Sequence, residues 1–141
     1  MRYVTNYGKV REFHKAFGLD LDNKTPTKAL VMLREELINE ECREFLNEVF
    51  DSGSPWDSEK ELVNYYVDTF DRERVAKELA DILYVTYGTA AAFGIDIDAV
   101  FDIVHASNMS KLGEDGKPIY REDGKVLKGP NYKEADLTGV V

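Results

Sequence analysis

The chain has 141 residues, 43% of them hydrophobic, which favours one domain with a real hydrophobic core. Its net charge is −9, from 27 acidic and 18 basic residues, which argues against non-specific nucleic-acid binding and favours cations or basic partners. Cys42 is the only cysteine, so no internal disulfide can form, and neither the first residues nor the apolar run 82–95 suits a signal peptide or a membrane span. These features lead us to expect a soluble cytoplasmic protein.

Helical periodicity predicts two helices in the first third of the chain. The first spans about residues 4–17, where apolar residues recur at three- and four-residue steps, and it ends at Gly18. The second spans about 27–49, with Thr25 or Thr27 as its N-cap.

Helical signals continue through the middle of the chain. Residues 58–71 are weakly helical, and a strong helix follows at about 72–93 and ends at Gly94. The last helix is predicted at about 97–111, with Asp96 as its N-cap.

The residues from Gly113 onward differ, because two Asp-Gly-Lys units predict turns and at most one small hairpin. We therefore predict a single all-α domain over 1–141. Its core would be a bundle of four or five helices, about 4–111, followed by a C-terminal arm, about 112–141.

The second predicted helix carries acids on its apolar side. That side consists of Leu30, Leu33, Leu37 and Phe45. With Leu30 at zero on a helical wheel, Glu41 and Glu44 fall at about 20° and −40°, and Glu40 falls at the edge, at about −80°. Long acidic side chains can reach solvent or pair with a basic neighbour. Two consecutive turns of inward acids would need several buried basic partners, so a divalent cation is the more compact explanation.

A second acidic pair, Glu78 and Asp81, lies on one face of the helix at 72–93. Asp81 is the only charged residue between positions 79 and 95, and the apolar residues around it predict a central position in the bundle. A salt bridge from Asp81 to Arg34 or Lys111 is one explanation.

The alternative is that the acids of the two helices face each other. Four carboxylates would then form one octahedral site for Mg²⁺ or Mn²⁺, made of Glu41, Glu44, Glu78 and Asp81. No cluster of histidines and cysteines suggests zinc, and the glycine-rich motif of P-loop NTPases is absent from the sequence.

Residues 40–44 read EECRE and residues 78–81 read ELAD. This pattern resembles the all-α NTP pyrophosphatases, which include MazG-type proteins, dimeric dUTPases and phosphoribosyl-ATP pyrophosphohydrolases. The segments "EFHKAFG", "GIDIDAVFDIVHASNMSK" and "DGKVLKGPNYKEADL" extend the resemblance to the MazG-like branch with a dUTP-preferring member. The resemblance runs from about Val10 to Leu137, and the acidic connection 50–72 is longer than in compact members.

The resemblance implies a reaction and an assembly. Such enzymes cleave a nucleoside triphosphate between the α and β phosphates with Mg²⁺ or Mn²⁺, as dimers or dimers of dimers. The four carboxylates would hold the metal ion against the phosphates. Glu40 would activate the attacking water or hold a further metal ion.

Cationic partners for the phosphates are predicted near the end of the chain. Asn108 and Lys111 continue the core-facing stripe of the last helix, where a snorkelling lysine and a helix-ending asparagine are the alternative, and the resemblance favours phosphate binding. Residues 111–133 contain six basic and four acidic residues, a net charge of +2. Within this arm, Lys125 and Lys128 are the candidates to bind phosphate as the arm closes over the site.

The base pocket is the least defined part of the predicted site. Tyr84 and Tyr87 are candidates to line it, with core packing as the alternative.

We predict a (d)NTP housecleaning enzyme with dUTP-like substrates and without nucleic-acid or membrane partners. Two alternatives are a phosphoribosyl-ATP pyrophosphohydrolase of histidine synthesis and a non-catalytic helical oligomer whose acids pair with basic residues of a partner.

Overall fold

A computed structural model describes residues 5–50 and 71–141. Within these ranges the chain forms four α-helices and no named strand, which confirms the predicted all-α class. The helices are α1 (Asn6–Phe17), α2 (Lys28–Phe50), α3 (Arg72–Phe93) and α4 (Ile97–Met109). The weak helix predicted at 58–71 lies almost wholly outside the described residues. None of the described helices is both long and apolar enough to cross a membrane.

The starts of the helices are fixed by side-chain caps. Thr27 Oγ1 accepts a hydrogen bond from Leu30 N at 3.2 Å, so Thr27, rather than Thr25, caps α2. Asp71 caps α3, and Asp96 caps α4 as predicted, by accepting from Ala99 N at 3.2 Å. The described helices therefore begin within about two residues of the predicted positions.

Glycine in the left-handed conformation ends both α1 and α3, at the predicted positions. Gly18 has a φ of 65° and Gly94 a φ of 68°. At position 94 a side chain would also meet the loop between α1 and α2, because a Cβ there would lie 3.1 Å from Asp22 Cα. The same loop is tied to α3 by Asp22 N, which donates to Ala91 O at 2.9 Å.

The chain divides into two compact units, Met1–Gly94 and Ile95–Val141. In the first unit, α3 packs against both α1 and α2. Among the described residues of that unit, the buried apolar ones are Val10, Leu30, Ala90, Ala91 and Ala92. Small alanines near the end of α3 thus let the neighbouring backbone approach closely. The predicted division into core and arm stays a prediction.

A buried polar contact between α1 and α2 lies against Gly88 of α3. Arg34 is only 7% exposed and His14 only 3%. His14 Nδ1 lies 2.8 Å from Asp20 O, and Nε2 lies 3.5 Å from Arg34 Nη2, so a neutral ring can donate at Nδ1 and accept at Nε2. Gly88 makes room for both, because a Cβ there would lie 2.9 Å from His14 Nε2 and 3.1 Å from Arg34 Nη2. Burial lowers the pKa of Arg34.

The buried side of α2 is rotated from the predicted one. Leu33, expected in the core, is 54% exposed, whereas Arg34, which no prediction placed there, is buried. On the wheel Arg34 lies at about 40° and Leu33 at about −60°, so the centre of burial shifts toward Arg34. On α3, Leu79 and Leu83 are about half exposed in the single chain. This helix is therefore not surrounded by packed neighbours on every side, as its predicted central position would require.

In the second unit, the chain after α4 folds back onto the helix. Ser107 Oγ donates to Lys133 O at 2.8 Å, and Lys133 N donates to Ser110 Oγ at 2.8 Å. The predicted hairpin is reduced to one antiparallel bridge between Tyr120 and Val126.

Candidate active site

Three carboxylates from α2 and α3 converge. One oxygen from each of Glu41, Glu44 and Glu78 lies within 4.8 Å of the other two. The three-residue step on α2 places Glu41 and Glu44 on one face, and Glu78 comes from the facing helix. The structure therefore brings together three of the four predicted metal ligands.

Glu78 is the most enclosed member of this triad. The residue is 6% exposed, and its Oε2 has no hydrogen-bond partner among the described residues. A buried carboxylate oxygen without a partner is costly, and hard divalent cations such as Mg²⁺ prefer oxygen ligands. The all-oxygen donor set and the unpaired Oε2 both fit such a cation, with Glu41, Glu44 and Glu78 as the residues that would hold it.

The electrostatics of the triad are those of a crowded acidic site. Burial raises the pKa of Glu41, and the negative charges of Glu44, Asp81, Glu40 and Glu78 raise it further. Four of the five acids identified from the sequence thus act on the fifth, Glu41. A bound cation would reverse this effect by favouring the charged form of Glu41.

Asp81 and Glu40 lie beside the triad rather than in it. Asp81 Oδ2 is 2.8 Å from Lys77 Nζ, so Asp81 forms a salt bridge within α3, where the sequence offered Arg34 or Lys111 as one explanation. Glu40 is exposed. Sequence reasoning missed Lys77, although its four-residue spacing from Asp81 is the signal for such a pair.

Within the described part of the chain, α3 borders a cavity on its α1 side and another on its α2 side. One, of about 200 Å³, lies between α1 and α3 and is lined by both candidate tyrosines, Tyr84 and Tyr87, together with Val10 and Leu83. The same tyrosines pack against α1, since the rings of Tyr84 and Phe13 are 5.5 Å apart, edge to face. The other cavity, of about 290 Å³, lies between α2 and α3 beside Arg34. The tyrosines therefore contribute to packing and also border a cavity.

The four candidate phosphate ligands belong to the second unit. Lys111 Nζ donates to Asn108 Oδ1 at 2.7 Å, so the predicted pair is in direct contact. Lys128 Nζ lies 4.2 Å from the centre of the Tyr132 ring. Lys125 is exposed, and its backbone N–H donates to Asp123 Oδ1 at 3.1 Å.

Comparison with known proteins identifies the family. The sequence model of the phosphoribosyl-ATP pyrophosphohydrolase family matches residues 10–108. The chain belongs to this family. It is therefore a nucleotide pyrophosphohydrolase of the all-α NTP pyrophosphatase group that its motifs resemble. The match includes the five acids and Asn108, whereas Lys111, Lys125 and Lys128 lie beyond it.

Among solved structures, the chain is similar to the crystal structure of a candidate NTP pyrophosphohydrolase from Exiguobacterium sp. 255-15. The two sequences are 25% identical, the TM-score is 0.42, and the similarity covers 93% of this chain and 89% of that chain. No curated protein matches the chain.

Proposed function

We propose that this family member is a metal-dependent nucleoside triphosphate pyrophosphohydrolase. It cleaves the bond between the α and β phosphates and releases a nucleoside monophosphate and pyrophosphate. The observation that carries the proposal is the convergence of Glu41, Glu44 and Glu78, with one buried oxygen of Glu78 unpaired. Acids in this arrangement would repel a triphosphate unless a cation lay between them.

The triad together with Asp81 would hold the metal ion, either Mg²⁺ or Mn²⁺. When bound, the metal ion would place positive charge beside the phosphates. That charge would stabilise the negative charge that develops on them as the anhydride bond breaks. Glu41 and Glu44 present carboxylates from α2, and Glu78 presents one from α3. Glu40, exposed beside them, accepts a proton from the attacking water at a carboxylate oxygen.

The phosphates also need donors from the protein. We assign this role to Asn108, Lys111, Lys125 and Lys128, supported by the +2 charge of residues 111–133 in a chain of net charge −9. Lysine ammonium groups pair with phosphate oxygens as point charges. The contact between Lys111 and Asn108 keeps both polar groups together at the end of α4.

For the base, the cavity beside Tyr84 and Tyr87 offers about 200 Å³ with a mostly apolar lining. A planar base can pack against tyrosine rings there. We propose dUTP-like substrates and a housecleaning role. Phosphoribosyl-ATP is the second candidate, and the family match favours it.

We also propose that the protein forms a homodimer or a dimer of dimers. Leu33, Leu79 and Leu83 are each about half exposed in the single chain, which supports a further apolar contact. A cytoplasmic location, suggested by the single cysteine, completes the proposal.

The test is release of pyrophosphate across all dNTPs, all NTPs and phosphoribosyl-ATP, with Mg²⁺, with Mn²⁺ and with EDTA. We expect activity that EDTA abolishes and that peaks with dUTP. A peak with phosphoribosyl-ATP would instead support the second candidate, and loss of all activity with every substrate would contradict the proposal.

Variants test the roles of single acids. Glu40→Gln should lower kcat by about 10²- to 10⁴-fold while leaving Mn²⁺ affinity unchanged, because the variant loses the general base but keeps every metal ligand. Glu35→Gln, an exposed acid on the same helix, is the matched control. Full turnover in Glu40→Gln with metal binding intact would remove Glu40 from the role of base.

A further inference from the structure

Lys77 lies between the two carboxylates that α3 contributes to the site. Its Nζ is 2.8 Å from Asp81 Oδ2 and 3.2 Å from Glu78 Oε1. The lysine precedes Glu78 by one residue and Asp81 by four, so a single helix brings all three together. One ammonium group thus contacts two of the four proposed metal ligands.

Lys77 compensates only part of the negative charge of the site. Lys77 pairs with Oε1 of Glu78, while Oε2, which is buried, has no partner in the part of the chain that the structure describes. The lysine side chain is 64% exposed, and four rotatable bonds let its ammonium leave the carboxylates. The carboxylates it would leave are more enclosed, with 8% of the Glu78 side chain and 35% of the Asp81 side chain exposed.

We propose that Lys77 is a positioning residue that competes with the divalent cation for Glu78 and Asp81, and thereby sets the affinity of the metal site. The cation and the ammonium need the same oxygens, so binding of one displaces the other. Asp81, which lies beside the triad, joins the metal ligands when Lys77 releases it. This inference rests on the proposed metal-dependent function.

Calorimetric titration of Mn²⁺ into wild type, Lys77→Met and Arg74→Met tests the competition. Methionine keeps most of the length of lysine and removes the charge. Arg74 is the matched control, because it lies one turn earlier on α3 and pairs with Glu48 and Asp71 rather than with the triad. The control removes the same charge from the same helix.

We expect Lys77→Met to bind Mn²⁺ more tightly than wild type, by roughly twofold to thirtyfold, which is the range for losing two charge pairs. Arg74→Met should stay within about twofold of wild type. An equal change in the two variants, or weaker binding in Lys77→Met, would overturn the inference.

A second measurement separates competition from simple long-range charge. In EDTA, Lys77→Met should melt at a lower temperature than wild type, because the acids lose their counter-ion, and Mn²⁺ should raise its midpoint more than that of wild type. Lys77→Arg should restore wild-type affinity and melting.

The metal site and the role of Lys77 can be refuted separately. If wild type binds Mn²⁺ but Lys77→Met gains nothing, the inference about Lys77 falls and the metal site stands. If no variant binds Mn²⁺ or Mg²⁺, the metal site and the role of Lys77 fall together.

Discussion

Replacement of Glu41 by glutamine should stabilise the protein in the absence of metal while it weakens cation binding. Glutamine keeps the size of the side chain and removes its charge. Because the pKa of Glu41 is raised in the folded protein, folding disfavours its charged form. The charged form of Glu41 therefore lowers the free energy of unfolding. This loss of stability is fully present above the raised pKa, and it disappears as the pH falls through that pKa toward the usual 4.5.

The size of the effect follows from the spacing of the triad. Two unit charges 4.8 Å apart in water repel by about 0.9 kcal/mol, and Glu41 has two such neighbours, Glu44 and Glu78. Screening at 0.15 M salt, where the Debye length is about 8 Å, reduces the sum to about 1 kcal/mol. A gain of that size should raise the melting midpoint by about 3–5 °C.

Urea unfolding at pH 7.5 in EDTA, at one fixed protein concentration, measures the gain in free energy of unfolding. The gain should shrink between pH 7.5 and 4.5, since protonated glutamate and glutamine are both neutral. Glu35→Gln, at an exposed position of α2, should change little. If Glu41→Gln is less stable than wild type in EDTA, or if it binds Mn²⁺ equally well, the carboxylates do not form the crowded site described.

Two further predictions concern the frame that holds the site. Gly88→Ala should lower the free energy of unfolding by up to about 2 kcal/mol, because the overpacking against His14 and Arg34, about 1–3 kcal/mol, exceeds the helix propensity gained, about 1 kcal/mol. Urea unfolding checks this, with Ala76→Gly at an exposed position of α3 measuring the propensity term alone, and a stabilised Gly88→Ala would contradict the close contact. Thr27→Ala should cost about 1 kcal/mol through loss of the cap on α2, whereas Thr25→Ala, in the preceding loop, should not; equal losses in the two variants would mean that Thr27 does not cap the helix.

The ends of the helices were predictable because local chemistry decides them. A glycine that follows the last turn of α1 or α3, and a polar cap such as Asp96, act within a few residues, so the sequence pattern suffices. The acids were found by the same local logic, since their position on a wheel depends only on spacing.

What the pattern could not predict depends on contacts between helices. The wheel treats leucine as the inward residue, but the space opposite Gly88 accepts the guanidinium of Arg34, and this turns Leu33 outward. The exposure of Leu79 and Leu83 likewise depends on what packs against α3, which hydrophobicity alone does not reveal. The pair of Lys77 and Asp81 lies within one helix at a four-residue step, so the sequence alone contains the signal for it.

The buried guanidinium of Arg34 also fixes how α2 is turned about its own axis. Glu41 follows Arg34 by seven residues, close to two full turns, so the two side chains leave the helix in nearly the same direction. One residue inserted between them would preserve every side chain of the site, yet it would rotate Glu41 and Glu44 by about 100° relative to Arg34. With Arg34 still seated against Gly88, both acids would then point away from Glu78. The stretch between Arg34 and Glu41 can therefore change in sequence far more readily than in length.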